Sequence, residues 1–488
     1  MTRPAGHAHR VAVRARERGQ VLPMFVFSLL AIIALAALLF DGANTLVTRR
    51  KLQNVGDAAA LIGSNVLQTS GSIRACSATN GPPPGAPRQD IIDAVNASIQ
   101  ANWPGFPSGQ VSITCPTGWD NQAVSVNLQT ISGTFFVGAI GGSAPTVATV
   151  STALNGQVTG SSYSVVILDP SNPSWPNGRR GCPAFLISGG PTVTFDGSVF
   201  VDSSCPAGSG GAIGSNGNAA TVSFASGKGL FVVGGYSPGP LTITPAPTLG
   251  VAPIADPLAG LEPVPYGSMT VRSNARLTLN STTQILQPGV YRGGIRMLNS
   301  SVALLRPGIY VFDGGGLDIG AQASMCSINA TSSPADCSTF TADCPDLTCG
   351  VLLFNRGTQS GSNAMGPISI GAGATLKMRA YDDRANSGQS FQYRNLLVWQ
   401  DGNPAPSSSY EQPTIALNGG GSVDISGTVY APGALVSMGG GSGGSGGSPT
   451  NLLIQFITWD LTMSGNSTFQ FFYSDADFAR PTDYGLVE

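Results

Sequence analysis

An uncharged apolar run near the N-terminus constrains this chain more than any other feature. Residues Val21–Phe40 (VLPMFVFSLLAIIALAALLF) contain no charged side chain over 20 positions. A helix of that length spans about 30 Å, which is the thickness of the hydrocarbon core of a bilayer. The run therefore predicts a membrane anchor, and a lipid bilayer is the first expected partner.

The charges beside this run indicate which side of the membrane each part occupies. Five arginines and one glutamate precede the run, and Asp41 follows it directly. Because basic flanks usually stay in the cytoplasm, we expect residues 1–20 to form a cytoplasmic arm and the bulk of the chain to lie outside. A cleaved secretory signal is the alternative. Such signals have a shorter apolar region, roughly 7–15 residues, and a small-residue cleavage site that is missing here.

Helical periodicity continues past the run. Apolar residues recur at alternating spacings of three and four and would lie along one helix face. This apolar seam consists of Leu52, Val55, Ala59, Ile62 and Val66. Gly56 and Gly63 interrupt it, and each costs about 1 kcal/mol relative to alanine in a helix. Two interpretations stay open: the seam packs on the protein's own outer part, or it pairs with another membrane-anchored helix.

The segment from Arg16 to Leu67 resembles the N-terminal segment of TadG-like proteins of the Tad/Flp pilus-assembly system. The resemblance rests on Arg18-Gly19, the apolar run, Asp41 and the stretch RRKLQNVGDAAAL (49–61), in that order. It implies a role in pilus assembly, with pilin-like or TadE-like membrane helices as partners.

The same resemblance bears on processing of the N-terminus. Related pilins carry a glutamate five residues after the glycine at which they are cleaved. Here Gly19 is followed at that distance by Met24. The comparison favours an uncleaved anchor, and a structural layer protein released by cleavage after Gly19 is the less favoured alternative.

Composition characterises the part of the chain beyond the anchor. The 65 glycines and 35 prolines are interrupted throughout by Val, Ile, Leu and Phe runs, which is typical of turn-rich β structure. Charged residues make up 10% of the chain and the net charge is −2. No nucleic-acid partner is expected from this charge pattern.

All eight cysteines follow the anchor. An even number on the exported side predicts disulfides, and their irregular spacing argues against a zinc site. The candidates are Cys76, Cys115, Cys182, Cys205, Cys326, Cys337, Cys344 and Cys349. Proximity along the chain suggests Cys76 with Cys115 and Cys182 with Cys205, and a surface loop stapled by the last four.

The predicted fold is mainly β and has four parts. They are the cytoplasmic arm (1–20), the membrane helix with its outward extension (21–67), a small α+β unit (68–160) and a β-rich ectodomain (161–488). In the last part, LQPGVYRGGIRM (286–297) aligns with LRPGIYVFDGGGLDI (305–319), which places two prolines 19 residues apart. A repeat of about 20 residues with apolar strands and Gly, Asn or Ser corners predicts a right-handed parallel β-solenoid. A β-sandwich or jelly roll is the alternative.

Side chains suited to catalysis are scarce beyond the anchor. The two histidines, His7 and His9, precede it, so a Ser-His-Asp set, a Cys-His set and a histidine-ligated zinc are excluded outside. Glycoside cleavage needs two carboxylates about 5–10 Å apart. The candidate pairs are Asp196 with Asp202, Asp313 with Asp318, and Asp382 with Asp383. Turn capping is the favoured interpretation of these aspartates.

A strand-like stretch, VVILDPSNPS (165–174), partly resembles the metal site of von Willebrand A domains. Asp169 and Ser171 fit the Asp-x-Ser-x-Ser pattern of that site, but Pro173 replaces the second serine. We therefore assign no catalytic, cofactor or metal residue from the sequence.

The sequence favours a non-enzymatic, membrane-anchored component of a Tad/Flp-type pilus-assembly or surface-adhesion system. The alternative hypothesis is a membrane-tethered β-solenoid that binds or cleaves surface polysaccharide, with Asp196 or Asp202 as the acidic groups.

Overall fold

The structure is a computed structural model that describes most of the chain after the basic arm. The described residues are 21–69, 72–73, 75–77, 85–117, 119, 121–139, 141–157, 163–170, 181–344, 347–382, 393–402, 412–418, 422–439, 450–466, 468–474, 477–479 and 482–487. The predictions for residues 1–20, Ser171, Pro173 and Asp383 lie outside these residues.

The apolar run and the seam belong to one helix, α1 (Val21–Asn65). Pro23 is tolerated because it lies in the first turn, where its missing N–H has no helical partner. The apolar side chains from Leu22 to Phe40 are exposed in the isolated chain. By length and composition this helix is the one candidate membrane span within the described residues.

A small antiparallel sheet lies beside the C-terminal half of α1. The elements after α1 are β1 (Gln68–Thr69), β2 (Ser72–Ile73), α2 (Gln89–Asn102), β3 (Val111–Thr114), β4 (Ala123–Ile131), α3 (Phe136–Ala139) and β5 (Thr146–Gln157). β3, β4 and β5 pair in that order, and α1 and α2 pack on one face of the sheet. β5 alternates buried and exposed residues from Val147 to Val150, because only one of its faces is covered.

Between residues 163 and 471 the described strands form one 26-stranded sheet. Its strands are β6 (Tyr163–Ile167), β7 (Phe185–Gly189), β8 (Thr192–Phe195), β9 (Ser198–Val201), β10 (Ile213–Asn216), β11 (Ala220–Phe224), β12 (Leu230–Val232), β13 (Leu241–Thr244), β14 (Thr248–Leu249), β15 (Val271–Ser273), β16 (Leu277–Asn280), β17 (Thr283–Leu286), β18 (Gly289–Arg292), β19 (Ile295–Leu298), β20 (Val302–Leu305), β21 (Gly308–Asp313), β22 (Leu317–Ile319), β23 (Ser324–Ser327), β24 (Val351–Arg356), β25 (Ile368–Ile370), β26 (Thr375–Arg379), β27 (Leu396–Gln400), β28 (Ile415–Asn418), β29 (Val423–Gly439), β30 (Thr450–Gly465) and β31 (Thr468–Phe471). A short helix, α4 (Phe340–Asp343), lies between β23 and β24, and β32 (Thr482–Val487) ends the described chain.

The pairing of these strands is parallel and regular. From β15 to β26 each strand hydrogen-bonds to the third strand after it, as β15 does to β18 and β18 to β21. The mainly β fold with a long apolar helix is thereby confirmed, and its large sheet is parallel.

The two aligned sequence segments contribute neighbouring strands, β18 and β21, and the register places Tyr291 opposite Phe312, two residues beyond its counterpart in the sequence alignment. Their tyrosines, Tyr291 and Tyr310, stack with ring centroids 6.0 Å apart. Each hydroxyl donates to the carbonyl four residues before it, at Gln287 (2.7 Å) and Arg306 (2.8 Å). Corner glycines allow the neighbouring turns to touch: Gly315 has φ +67°, and a Cβ there would lie 2.1 Å from the carbonyl oxygen of Gly293.

The order of strands in the sheet differs from their order in the chain. One row of paired strands runs β15, β18, β21, β24, β27, β29, β30, β6, β9, β12, β14. The chain therefore enters this row in its interior, at β6, and proceeds to one end at β14. It then resumes at the opposite end, at β15, and returns until β30 pairs with β6.

The bridging segment (residues 250–270) joins the two ends of this row. Its buried Leu258 and Val264 pack with Val311, Phe354 and Trp399, which project from the row. Coverage by this segment explains why β24 and β27 are apolar on both faces instead of alternating.

Polar contacts hold the bridging segment along its length. Tyr430 donates its hydroxyl to Asp256 Oδ2 (2.7 Å). Tyr393 donates to the carbonyl of Glu262 (2.9 Å). Further along, the guanidinium of Arg356 lies 3.9 Å from the ring centroid of Tyr266.

The last strand returns to the small sheet. β32 pairs antiparallel with β5, from Thr482 opposite Gln157 to Val487 opposite Thr152. The division at 161–488 drawn from the sequence grouped this strand with the parallel ones. The different location of β32 follows from the strand order. Because β31 pairs with β8, the chain leaves the parallel sheet beside the first strands of that sheet.

All eight cysteines are paired. The pairs Cys76–Cys115 and Cys182–Cys205 are confirmed, each with 5.8 Å between the Cα atoms. The remaining four form Cys326–Cys337 and Cys344–Cys349. These two bonds and Phe340 form a small core that packs the segment between β23 and β24 against Leu304.

Candidate functional site at the base of the anchor helix

The apolar seam contacts the protein's own outer part over most of its length. Leu52, Val55 and Ala59 are buried against Val95 of α2 and Leu128 of β4.

Beyond Ala59 the buried face moves to Ala60 and Leu67, and Ile62 is left 46% exposed. Val66 is half-buried at its edge. The shift arises because a straight helix has 3.6 residues per turn and drifts from a 3.5-residue repeat by about 20° per heptad.

At two glycines α1 closely approaches the outer unit, by which we mean α2 with β3, β4, β5 and β32. A Cβ at Gly56 would lie 2.7 Å from Ser151 Oγ, and one at Gly63 would lie 2.6 Å from Val95 Cγ2 and 3.2 Å from Val124 Cγ1. By helix propensity alone these glycines are recognisable only as a cost to the helix. Gly56 and Gly63 lie seven residues apart, on the same side of the helix as the seam. This spacing is the sequence feature that predicts a close contact with another element.

Hydrogen bonds connect α1 to β5 and β32, the strands that precede and follow the parallel sheet in the chain. Ser151 of β5 donates to Asp57 Oδ1 (2.6 Å), and Gln53 donates to the same carboxylate oxygen (2.7 Å). On β32, the hydroxyl of Tyr484 donates to the carbonyl of Leu61 (3.0 Å). The helix is therefore attached to the chain on either side of the parallel strands.

Asp41, at the end of the apolar run, accepts hydrogen bonds from a distant loop. Its carboxylate receives the backbone N–H groups of Phe135 (2.8 Å), Phe136 (3.1 Å) and Val137 (2.8 Å). These donors, with Val137 contributing most, hold the pKa of Asp41 below its usual value of 3.8. We call residues 132–139 the α3 loop. Asn44 adds a bond to the carbonyl of Gly133 (2.6 Å).

Replacing Asp41 by asparagine is expected to loosen the α3 loop. Charge-assisted hydrogen bonds are about twice as strong as neutral ones, so amide exchange at Phe135–Val137 should accelerate roughly tenfold. Hydrogen-exchange mass spectrometry measures this rate, and Asp93→Asn, on the surface of α2, is the matched control. Equal exchange in both variants would contradict the assignment.

The same contact predicts a pH dependence. Because the folded-state pKa of Asp41 is lowered, its contribution to stability is present above the unfolded value near 3.8 and is lost as pH falls through the folded value. Wild-type protection of the α3 loop, relative to unstructured peptides, should decrease below about pH 4, whereas protection in Asp41→Asn should stay constant.

The aspartate pairs considered for glycoside cleavage are either far apart or engaged in ion pairs. Asp196 lies in the turn before β9 and Asp202 follows that strand, so extended backbone separates them by roughly 13–20 Å. β9 has only four residues, so neither Asp196 nor Asp202 belongs to the strand itself. This separation exceeds the spacing that glycosidases need.

The other aspartates have basic or buried surroundings. Asp313 pairs with Arg356, and Asp318 lies 3.1 Å from Arg296, in both cases across neighbouring strands. Asp382 is buried.

Asp202 and Asp169 end neighbouring strands of the row. Burial raises the pKa of Asp202 to about 6, and the charge of Asp169 adds to this rise, while the backbone N–H of Ile254 opposes it. A carboxyl group with a raised pKa binds its proton more tightly in the folded state, so the charged form destabilises the fold.

Asp202→Asn is therefore expected to stabilise the protein at pH 7. The gain should be about 1 kcal/mol, because the side chain keeps contact with water. The difference should shrink as pH falls through about 6 and vanish near pH 4, where the wild-type carboxyl is protonated in both states. Denaturant unfolding of the purified protein at several pH values measures it. Asp196→Asn, in the nearby turn, is the control, and a stability loss in Asp202→Asn would contradict the prediction.

A cluster of arginines at one end of the sheet was missed in the sequence analysis. No acidic residue occurs between Glu262 and Asp313. The arginine cluster within this stretch consists of Arg272, Arg276, Arg292, Arg296 and Arg306. The first four are exposed on β15, β18 and β19 or the turns between them. The acid-free stretch itself was the available signal.

Comparison with known proteins bears on the N-terminal part. No curated protein and no solved structure matches the chain. Residues 19–66 match the family model described as putative Flp pilus-assembly TadE/G-like. The match spans the apolar run, Asp41 and the glycines that pack on the outer unit, and it confirms the resemblance found between Arg16 and Leu67. The N-terminal segment of this protein is therefore TadE/G-like.

Proposed function

We propose that the protein is a non-enzymatic, single-pass membrane component of a Tad/Flp-type pilus-assembly or surface-adhesion system. The observation that carries the proposal is the TadE/G-like match over 19–66, which coincides with a 45-residue helix that is apolar in its first half and packed in its second. The basic residues before Val21 favour a cytoplasmic N-terminus and an ectodomain outside.

We further propose that residues 163–471 wind as a right-handed parallel β-solenoid. Pairing of each strand with the third strand after it supports three strands per turn, and paired residues of β18 and β21 lie 21 positions apart in the chain, as Tyr291 and Phe312 do. Nearly all connections between parallel strands are right-handed. Such a stack is a rigid body suited to adhesion or to holding a place in an assembly.

The role is mechanical in this proposal. The helix anchors the protein, and force on the ectodomain passes to it through β5 and β32, which both bond to α1. The Cys76–Cys115 disulfide ties the chain before α2 to the end of β3, on the same unit.

Exposed residues of α1 are the surface proposed for pilin-like or TadE-like helices. Leu46 is 62% exposed, Val47 is 64% exposed, and Ile62 of the seam adds a third apolar site. Leu52, Val55 and Ala59 already have partners within the chain, so pairing between helices would use this other surface.

Photocrosslinking in native membranes tests the function. Full-length protein with a benzophenone amino acid at Val47 or at Ile62 should crosslink to another component of the pilus system, identified by mass spectrometry. The same group at Val150, which is exposed on β5 opposite the helices, is the control. Capture of no such component at either helix position, with the protein correctly inserted, would overturn the proposal.

A second candidate function is binding of an acidic surface polysaccharide. The arginine cluster favours it, because it offers several guanidinium groups with few nearby acids, and guanidinium matches carboxylate geometry. Binding of polygalacturonate to the purified full chain should weaken with salt. It should also weaken in Arg272→Gln/Arg276→Gln while Lys228→Gln stays unchanged. Equal binding by both variants would remove this candidate, and polymer shortening would instead indicate an enzyme.

A further inference from the structure

An exposed aromatic pair lies next to the end of the membrane helix. Phe135 is 73% exposed and Phe136 is 43% exposed, although phenylalanine usually lies inside a folded protein. The ring of Phe136 lies 6.4 Å from the ring of Phe40, the last residue of the apolar run and itself 66% exposed. Phe136 therefore extends the apolar surface of the anchor at Phe40, and the exposed Phe135 directly precedes it in the chain.

The position of these rings is held by the helix itself. Asp41 accepts three backbone N–H groups of the α3 loop, and Asn44 and Thr45 contact Gly133 and Ser132 at the start of that loop. The loop is therefore attached within the first turn beyond Phe40 and stays level with it.

The chemistry of the loop suits the boundary between lipid and water. No charged residue occurs from Asn121 to Leu168. The Asp41 carboxylate satisfies N–H groups that would otherwise need water, which is the condition for backbone to enter an apolar layer. Segments that lie in the interfacial layer bury Trp, Phe or Leu side chains at the boundary between headgroups and acyl chains.

We propose that the α3 loop inserts Phe135 and Phe136 into the outer interfacial layer of the bilayer, as a second membrane contact beside the helix. The inference rests on the proposed membrane span, because Phe40 then marks the hydrocarbon boundary. A second contact away from the helix axis limits the rotation and tilt of α1. It thereby orients the outer unit, and the parallel sheet that follows β5, relative to the membrane surface.

Electron paramagnetic resonance of the full chain in phospholipid vesicles tests the proposal. All eight native cysteines are disulfide-bonded, so a nitroxide can be placed at one introduced cysteine. The variants are Phe135→Cys, Leu38→Cys within the span, and Val150→Cys on the exposed face of β5. Accessibility to dissolved oxygen and to a water-soluble nickel chelate reports the depth of each label.

The expected result is a severalfold higher oxygen-to-nickel ratio at Phe135→Cys than at Val150→Cys, with Leu38→Cys higher still. A label at 135 that matches Val150→Cys, while Leu38→Cys is in hydrocarbon, would overturn the inference and leave the span intact. Low access to both reagents at 135 would indicate a protein partner and would also overturn it. An aqueous label at Leu38→Cys would overturn the span itself.

Discussion

Substitution of Gly63 by leucine is expected to detach α1 from the outer unit. Even a Cβ at this position would lie 2.6 Å from Val95 Cγ2 and 3.2 Å from Val124 Cγ1, and both are short branched side chains with little freedom to move. Overpacking of a close contact costs about 1–3 kcal/mol for a few added methylenes, and leucine lies at the upper end here.

The consequence should appear in the elements that face the helix. Hydrogen exchange should accelerate in α2 and β4, which bury Val95 and Val124, while the parallel sheet keeps its protection. Gly42→Leu is the matched control, because Gly42 lies in the same helix and a Cβ there would meet no atom within 4 Å. If both variants exchange alike, the helix does not pack on the sheet through Gly63.

Phe471→Ala is expected to weaken the packing between β31, the last parallel strand in the chain, and β8, one of the first. Phe471 is fully buried on β31, with its ring centroid 4.7 Å from that of Phe195 on β8, which lies 276 residues earlier in the chain. Loss of a buried phenylalanine ring costs about 3–5 kcal/mol. The variant should lose about that much free energy of unfolding.

Phe224 provides a graded control on the other side of Phe195. Its ring stacks on Phe195 at 5.4 Å but it is only half-buried, so Phe224→Ala should cost about 1–2 kcal/mol. Denaturant unfolding, with hydrogen exchange of β31 and β32 as a local probe, separates the two variants. A smaller loss in Phe471→Ala than in Phe224→Ala would show that β31 is not held beside β8 by this contact.

Together the two substitutions test the attachment of the parallel sheet at both of its connections. Gly63 affects the contact between the helix and the sheet that contains β5 and β32. Phe471 affects the last parallel strand before the chain returns to β32. If the protein transmits force from outside to the membrane, both variants should weaken anchoring without loss of the apolar helix.

Local patterns determined several features of this protein. The uncharged run from Val21 to Phe40 and the periodic seam after it are properties of neighbouring residues, so they predicted a helix that the structure places at Val21–Asn65. The pairs Cys76–Cys115 and Cys182–Cys205 followed from proximity along the chain, since short loops close most easily. The repeat around Tyr291 and Tyr310 is likewise visible in the sequence, because two similar segments, LQPGVY and LRPGIY, occur one after the other.

Only the tertiary structure decided which distant residues meet. Asp41 contacts Phe135–Val137, some 94–96 positions away, and no local period encodes that contact. The strand order, with β6 inside a row that ends at β14 and β15, arises from pairing over hundreds of residues. The same long-range packing turned Gly56 and Gly63 from helix-weakening residues into contact points, because a missing Cβ matters only when another element approaches it.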